Sequence, residues 1–370
     1  MKISILTPDF SSNCLGRSYL LARLLQKYHQ VKIVGPMFGE HIWLPLMNTN
    51  DITFIPIRMK PYNSSLYCNL WKIVRECNGD ILYASKPLIT SFGLGIIAKR
   101  KYNIPLILDI DDWEIAPFMM HTPIYRYLRC LRYINNPFSF IPTLLMNRLI
   151  KMADFVTVSS KALMKLYSGV IIPHVRKVTH VKIKTSKKQK TIMFLGTPRP
   201  HKGLDDLIEA FRQIEKQDII LRIVGINDSD RDCQKFISLV QLDKRIQLHG
   251  MVPFDKLNIY IAMADIIVIP QRNTLYGRTQ LPAKLFDAMA QGKPIIATRV
   301  SDIPEILNDC GIIVEPGNVT ELQKAIEYLV EHPQERKSLG KKAVKRCELY
   351  YNFETFSRKL NNLITSKFYV

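Results

Sequence analysis

Short, continuous apolar runs alternate with amphipathic stretches along almost the whole of this 370-residue chain. Runs at 2–6, 31–34, 52–57, 81–84, 105–110 and 154–159 read as strands, with a helical pattern at 18–28. The pattern restarts at 191–196 (strand), 204–214 (helix) and 219–225 (strand), then continues at 245–249, 265–270, 294–298 and 311–315. Strands that are apolar throughout, rather than at every second residue, belong in a parallel sheet covered by helices on both faces. Two such series predict an α/β protein of two doubly wound, Rossmann-like domains, each long enough to bury its own core. A polar, basic segment at 176–190 separates them. The expected organisation is therefore 1–185, 186–345 and a closing helical segment, 346–370. Ligands of open α/β sheets lie beyond the carboxyl ends of the strands, so two facing domains predict an interdomain cleft.

Charge narrows the partners. Fifty-two Lys and Arg against 32 Asp and Glu give a net +20, which favours anionic partners. The excess is local: between 115 and 204, sixteen basic residues face one acid, Asp154. Within that stretch Ile124, Tyr127, Leu128, Leu131 and Ile134 share one helical face, with Arg126, Arg129 and Arg132 on another. Such a helix either lies in an anionic membrane interface or turns its apolar side to the core. Seven cysteines at scattered positions form no C-x-x-C pair, so a zinc site or disulfide framework is not expected. The opening apolar run is too short for a signal peptide core, and no uncharged run is long enough to span a membrane.

Three segments carry chemistry. A strand ends at Gly196, and a loop with Arg199, His201 and Lys202 leads to a helix starting near Gly203. The positive end of a helix beside basic residues favours an anion, for which a diphosphate fits, or else forms a solvated basic loop. A second segment runs through Arg278, Thr279, Gln280, Pro282, Lys284 and Asp287 to Gly292. Pro282 suits a first helical turn and Gly292 a helix end, and Asp287 can accept hydrogen bonds from a sugar diol or simply be solvated. The third is Asp109-Ile110-Asp111-Asp112-Trp113-Glu114, four acids at the end of a strand. An acid there can orient a hydroxyl or act as base. Its D-x-D pattern also matches a metal-binding motif, but a metal is not expected.

These segments, with Ile303-Pro304-Glu305 and Gly311 to Gly317 after them, resemble the retaining glycosyltransferases of the GT-B fold, family four, often called group 1 glycosyltransferases. The resemblance covers the second half and implies a donor nucleotide diphosphate-sugar there, with the acceptor on the first half. It implies that Lys202 binds the donor diphosphate. The family's companion arginine falls on Thr197, and Arg199 is the substitute. Two glutamates eight positions apart mark the family: the second corresponds to Asp287, expected on the ribose, and the first to Thr279, which is not acidic. Arg278, Gln280 or backbone N–H groups then take its part. Of the family's glycine pair after strand one only Gly16 remains, a candidate acceptor contact, and Asp111 stands where members carry a histidine.

The expectation is a hexosyltransferase-type enzyme that moves a sugar to an acceptor hydroxyl, lipid-linked or saccharide, in glycan or polysaccharide assembly. Asp111, Lys202 and Arg199 form the catalytic set; Arg199, Lys202, Gly203, Arg278, Lys284 and Asp287 hold the donor; Gly16 and Asp112 meet the acceptor. No cofactor is expected, and the protein should lie in the cytoplasm, peripheral on the inner face of the membrane. The rivals are a nucleic-acid-binding protein, for which no recognition motif is present, and a catalytically silent GT-B subunit.

Overall fold

The computed structural model describes residues 1–60, 65–132, 136–179, 181, 189–228, 230–240 and 243–368, with the side chains of 65–68, 129–132 and 231 left aside. The chain divides into two compact units, Met1–His174 with Phe353–Val370, and Val175–Asn352. Unit 1 holds β1 (Lys2–Leu6), β2 (Gln30–Met37), β3 (Thr53–Arg58), β4 (Ile81–Ser85), β5 (Leu106–Ile110), β6 (Phe155–Val158) and β7 (Val170–Ile171). Unit 2 holds β8 (Lys190–Leu195), β9 (Ile219–Ile226), β10 (Ile246–Gly250), β11 (Ile266–Ile269), β12 (Ile295–Thr298) and β13 (Ile312–Val314). Their sheets run β3-β2-β1-β4-β5-β6-β7 and β10-β9-β8-β11-β12-β13, and every pairing is parallel.

The continuous apolar runs are explained by burial on both faces. Along β8, Ile192 and Phe194 enter one core and Met193 and Leu195 the other. Along β11, Ile266 and Val268 face the first core, and Ile267 and Ile269 the second. Helix Leu204–Arg212 closes the first face with Leu204, Leu207, Ile208 and Phe211. Helix Ala283–Ala290 closes the second with Leu285, Phe286 and Met289. Each such side chain, taken fully from water, contributes about 1.5–3 kcal/mol.

The domain boundaries differ from expectation. Unit 2 starts at Val175, not 186, and the closing segment is no separate piece. Helix Phe353–Phe368 buries Leu360 and Ile364 in unit 1. Its Ser357 hydroxyl donates to the Leu24 carbonyl on helix Cys14–Leu25, and its Glu354 pairs with Lys27 at 2.5 Å. An amphipathic helix at a chain end carries no signal of which core it covers.

Both sheets reverse their strand order once, between β1 and β4 in unit 1 and between β8 and β11 in unit 2. At such a switch point the loops after adjacent strands part, leaving a crevice at the carboxyl ends. Both candidate sites lie there.

Candidate functional site

In unit 2 the loops after β8 and β11 flank the switch point. Gly203 sits at φ +63, and a Cβ there would stand 1.9 Å from the Pro270 carbonyl oxygen. Only glycine allows the two loops to approach so closely. The Arg272 N–H donates to the His201 carbonyl at 2.8 Å, and His201 Nε2 lies 3.0 Å from Gln280 Oε1. Tyr276 meets the His201 ring edge-on at 4.6 Å and accepts from Gln280 Nε2 at 3.1 Å. Lys202 folds back over the end of β8, its Nζ 2.8 Å from the Thr197 carbonyl oxygen. Gly196 leaves room for it: a Cβ there would lie 3.4 Å from that ammonium. Lys202 and the start of helix Leu204–Arg212 thus converge at the head of the crevice, which suits an anion.

Other expected donor contacts are placed differently. Arg199 forks onto Asp230 at 2.8 and 2.9 Å and lies 3.6 Å from Asp232. It is therefore engaged by carboxylates rather than presented beside Lys202, and its guanidinium holds the Asp230 carboxyl below its usual range against the opposing effect of burial. Arg278 is exposed and donates to Asn273 Oδ1 at 2.6 Å. The Thr279 hydroxyl donates to the Tyr276 carbonyl at 3.0 Å, so the position of the family's first acid is buried and closed by its own loop.

Asp287 is 4% exposed on helix Ala283–Ala290. Arg176 donates to its Oδ1, and Lys284 Nζ lies 3.2 Å from Oδ2. Burial opposes its charge, but these two cations outweigh it and hold the carboxyl below its usual range. Asp287 is thus a paired, buried anion rather than a solvated one, with Lys284 among its partners. Sequence reasoning missed Arg176, which it saw only as the first residue of a basic linker. It also missed Arg272, which forks onto Asp206 at 2.9 and 2.5 Å; its place directly after an apolar strand was the available signal.

In unit 1, Asp109 and Asp111 leave β5 in opposite roles. Asp109 is fully buried, bound by Arg17 through two 2.8 Å hydrogen bonds and by the Thr157 hydroxyl at 2.7 Å. Arg17 also donates to the Ile172 carbonyl at 2.7 Å, so this pair ties helix Cys14–Leu25 to the sheet. Asp111, Asp112 and Glu114 gather around one ammonium, Lys86, at 3.0, 2.7 and 2.5 Å. Their oxygens are close enough to one another for a metal ion, but Lys86 supplies the positive charge. Burial pushes the Asp111 carboxyl up to about 7; Lys86 opposes this, and Asp112 and Asp109 add to it. A carboxyl with that value takes or releases a proton near neutrality. Gly16 lies in the first turn of helix Cys14–Leu25, with the Trp43 ring 3.2 Å from where its Cβ would be.

Residues 175–346 match the family described as glycosyl transferases group 1. An uncharacterized glycosyltransferase of Methanocaldococcus jannaschii is 30% identical over 150 residues, 40% of this chain and 40% of that one. A Mycolicibacterium hassiacum protein named MMP alpha-(1->4)-mannosyltransferase is 25% identical over 172 residues, 45% of this chain and 41% of its own. The chain thus spans about two fifths of the length of each of these relatives. Among solved structures, Anabaena HepE in complex with UDP-glucose superposes with a TM-score of 0.76 at 16% identity, covering 99% of this chain and all of that one. The fold is the expected GT-B type, two parallel-sheet α/β units, and the second unit is the part that matches the group 1 glycosyltransferase family.

Proposed function

We propose, from the match of residues 175–346 to that family, that the protein is a retaining glycosyltransferase transferring a sugar from a nucleotide diphosphate-sugar to an acceptor hydroxyl. One observation carries the reading: Lys202 and the helix start at Gly203 meet at the switch point between β8 and β11. Positive charge fixed where the leaving diphosphate develops its own is the largest single contribution such a site can make. UDP is the proposed nucleotide, supported by the HepE complex, and Asp287 is proposed to take the ribose through the edge not used by Arg176. Asp111, with Asp112 beside it, is proposed to hold the acceptor hydroxyl and receive its proton.

The reaction is proposed to need no metal ion. Lys202 faces the diphosphate, and the acid cluster with metal-like spacing already encloses Lys86. Transfer that persists in EDTA agrees; loss in EDTA restored by Mn²⁺ contradicts it.

The acceptor is proposed to be lipid-linked and reached from an anionic membrane surface on the cytoplasmic side, in polysaccharide assembly. On helix Pro123–Arg132, Ile124 is 74% and Leu128 59% exposed, so the apolar side does not turn to the core. Met119, Met120, Ile141 and Leu145 are exposed nearby in sequence, and no acid occurs from 115 to 153. Tyr127 packs edge-on to Phe140, and Arg126 folds back onto the carbonyls of Met119 and His121. The expected stripe is incomplete: Ile134 and the side chains of Arg129, Leu131 and Arg132 lie outside the described ones. Among the described residues no helix is long and apolar enough to cross a membrane.

Incubation with UDP-sugars and a polyprenyl-phosphate-linked acceptor tests the reading, with the anomeric configuration of the product followed by NMR. Retained configuration is expected. An inverted product would overturn the mechanism, and no transfer from any nucleotide-sugar the activity.

A further inference from the structure

Lys86 is a buried lysine in a backbone conformation that lysine rarely adopts. It follows β4 at φ +67 and is 5% exposed. Every other non-glycine residue at positive φ among those described is Asn or Ser, and Asn adopts that region most readily. Strain of this kind persists only where the surroundings over-determine it, and it gathers at functional sites. Here they do: the Lys86 N–H donates to the Asp109 carbonyl at 2.7 Å, and its own carbonyl accepts from the Leu88 N–H and the Ser91 hydroxyl at 2.9 Å. The left-handed turn aims the side chain across the carboxyl end of β5.

We propose that Lys86 is a positioning residue for Asp111, its ammonium gathering Asp111, Asp112 and Glu114 into one cluster and fixing the carboxylate that meets the acceptor. The proposal rests on the reading of unit 1 given above. Three carboxylates this close cannot all be ionised without a cation among them, and Lys86 is that cation. Burial disfavours its charge, but the three acids hold it protonated well above the usual range. The other groups facing Asp111 are accounted for. Asp109 is neutralised by Arg17, and burial keeps the Cys14 thiol neutral, pushed up to about 12. Without Lys86, burial, Asp112, Glu114 and Asp109 would act on Asp111 with only the Arg17 guanidinium opposing them, and it would keep its proton at neutral pH.

The test compares wild type with Lys86→Met, and with Lys86→Gln, which keeps a hydrogen-bond donor on a slightly shorter side chain should the methionine variant not fold. The acid limb of the kcat–pH profile should move up by about one to three units, the usual size for one opposite charge at contact. Activity at pH 7 should fall about fivefold or more and recover in alkali, with the donor KM within about twofold. A kcat lowered equally at every pH, or an unmoved limb, overturns the proposal. Melting temperature against pH decides the same point without turnover. In wild type it should stop falling near pH 7, where Asp111 has lost its proton, whereas both variants should keep falling beyond it. Parallel curves overturn the proposal. Inactive wild type with diverging curves would sink the acceptor reading and leave the role of Lys86 standing.

Discussion

At the scale of single residues, Lys202 carries the account of unit 2. Its ammonium rests on the Thr197 carbonyl in a half-buried loop at the head of the crevice, so it contributes little to folding. Lys202→Ala should lower turnover by about 10²-fold, the scale of one lost charge-stabilising group, with the melting temperature nearly unchanged; steady-state kinetics and a thermal melt check both halves. Asp287 differs, because it is buried between Arg176 and Lys284. Asp287→Asn should weaken the donor nucleotide and also destabilise the fold by about 3 kcal/mol, since it strands two cations. The sign with pH follows from its lowered carboxyl. The stabilisation is present above the unfolded value near 4 and lost as pH falls through the folded one. Urea unfolding should therefore show the gap between wild type and Asp287→Asn at pH 7 and see it close towards pH 3. A constant gap would mean that shape, not charge, is what Asp287 supplies. The identity of Asp287 was legible from its register with a family motif. Its partner was not, because Arg176 lies 111 residues away.

At the scale of elements, the strands were legible because each is short, apolar throughout and bounded by polar residues. β7 escaped because it is two residues long, and helix Cys14–Leu25 starts before the expected position 18 because Asn13 to Arg17 shows no apolar period. Loop-to-loop approaches were not legible at all. Gly203 is where they matter, and Gly203→Ala places a methyl group on the Pro270 carbonyl at a φ that alanine resists. It should cost about 1–2 kcal/mol in strain alone and weaken donor binding by moving Lys202, measurable by denaturation and calorimetry on the same preparation. Helix Pro123–Arg132 makes the other prediction at this scale. Ile124 and Leu128 together changed to Glu should abolish co-sedimentation with anionic vesicles at low salt, because both the insertion and the charge attraction are lost. Binding that survives this change places the membrane contact elsewhere.

At the scale of the whole molecule, two parallel sheets with the same pattern of strand order place both candidate sites at switch points, each beyond the carboxyl ends of its strands. That much followed from the order of strands and helices. What did not follow was the assignment of charge. Arg17, Lys86, Arg176 and Arg272 each neutralise acids that sequence distance hides, and Arg199 does so at the donor loop itself. A net +20 is thus no measure of free cations. The claim on which the rest depends is that unit 2 holds a nucleotide diphosphate through Lys202. Isothermal titration of UDP into wild type and Lys202→Ala, each shown to be folded, tests it most directly. The account predicts saturable binding to wild type, weakened about tenfold or more in the variant, as for one lost charge-assisted contact of about 1.5–3 kcal/mol. Equal affinity in the two proteins would contradict it.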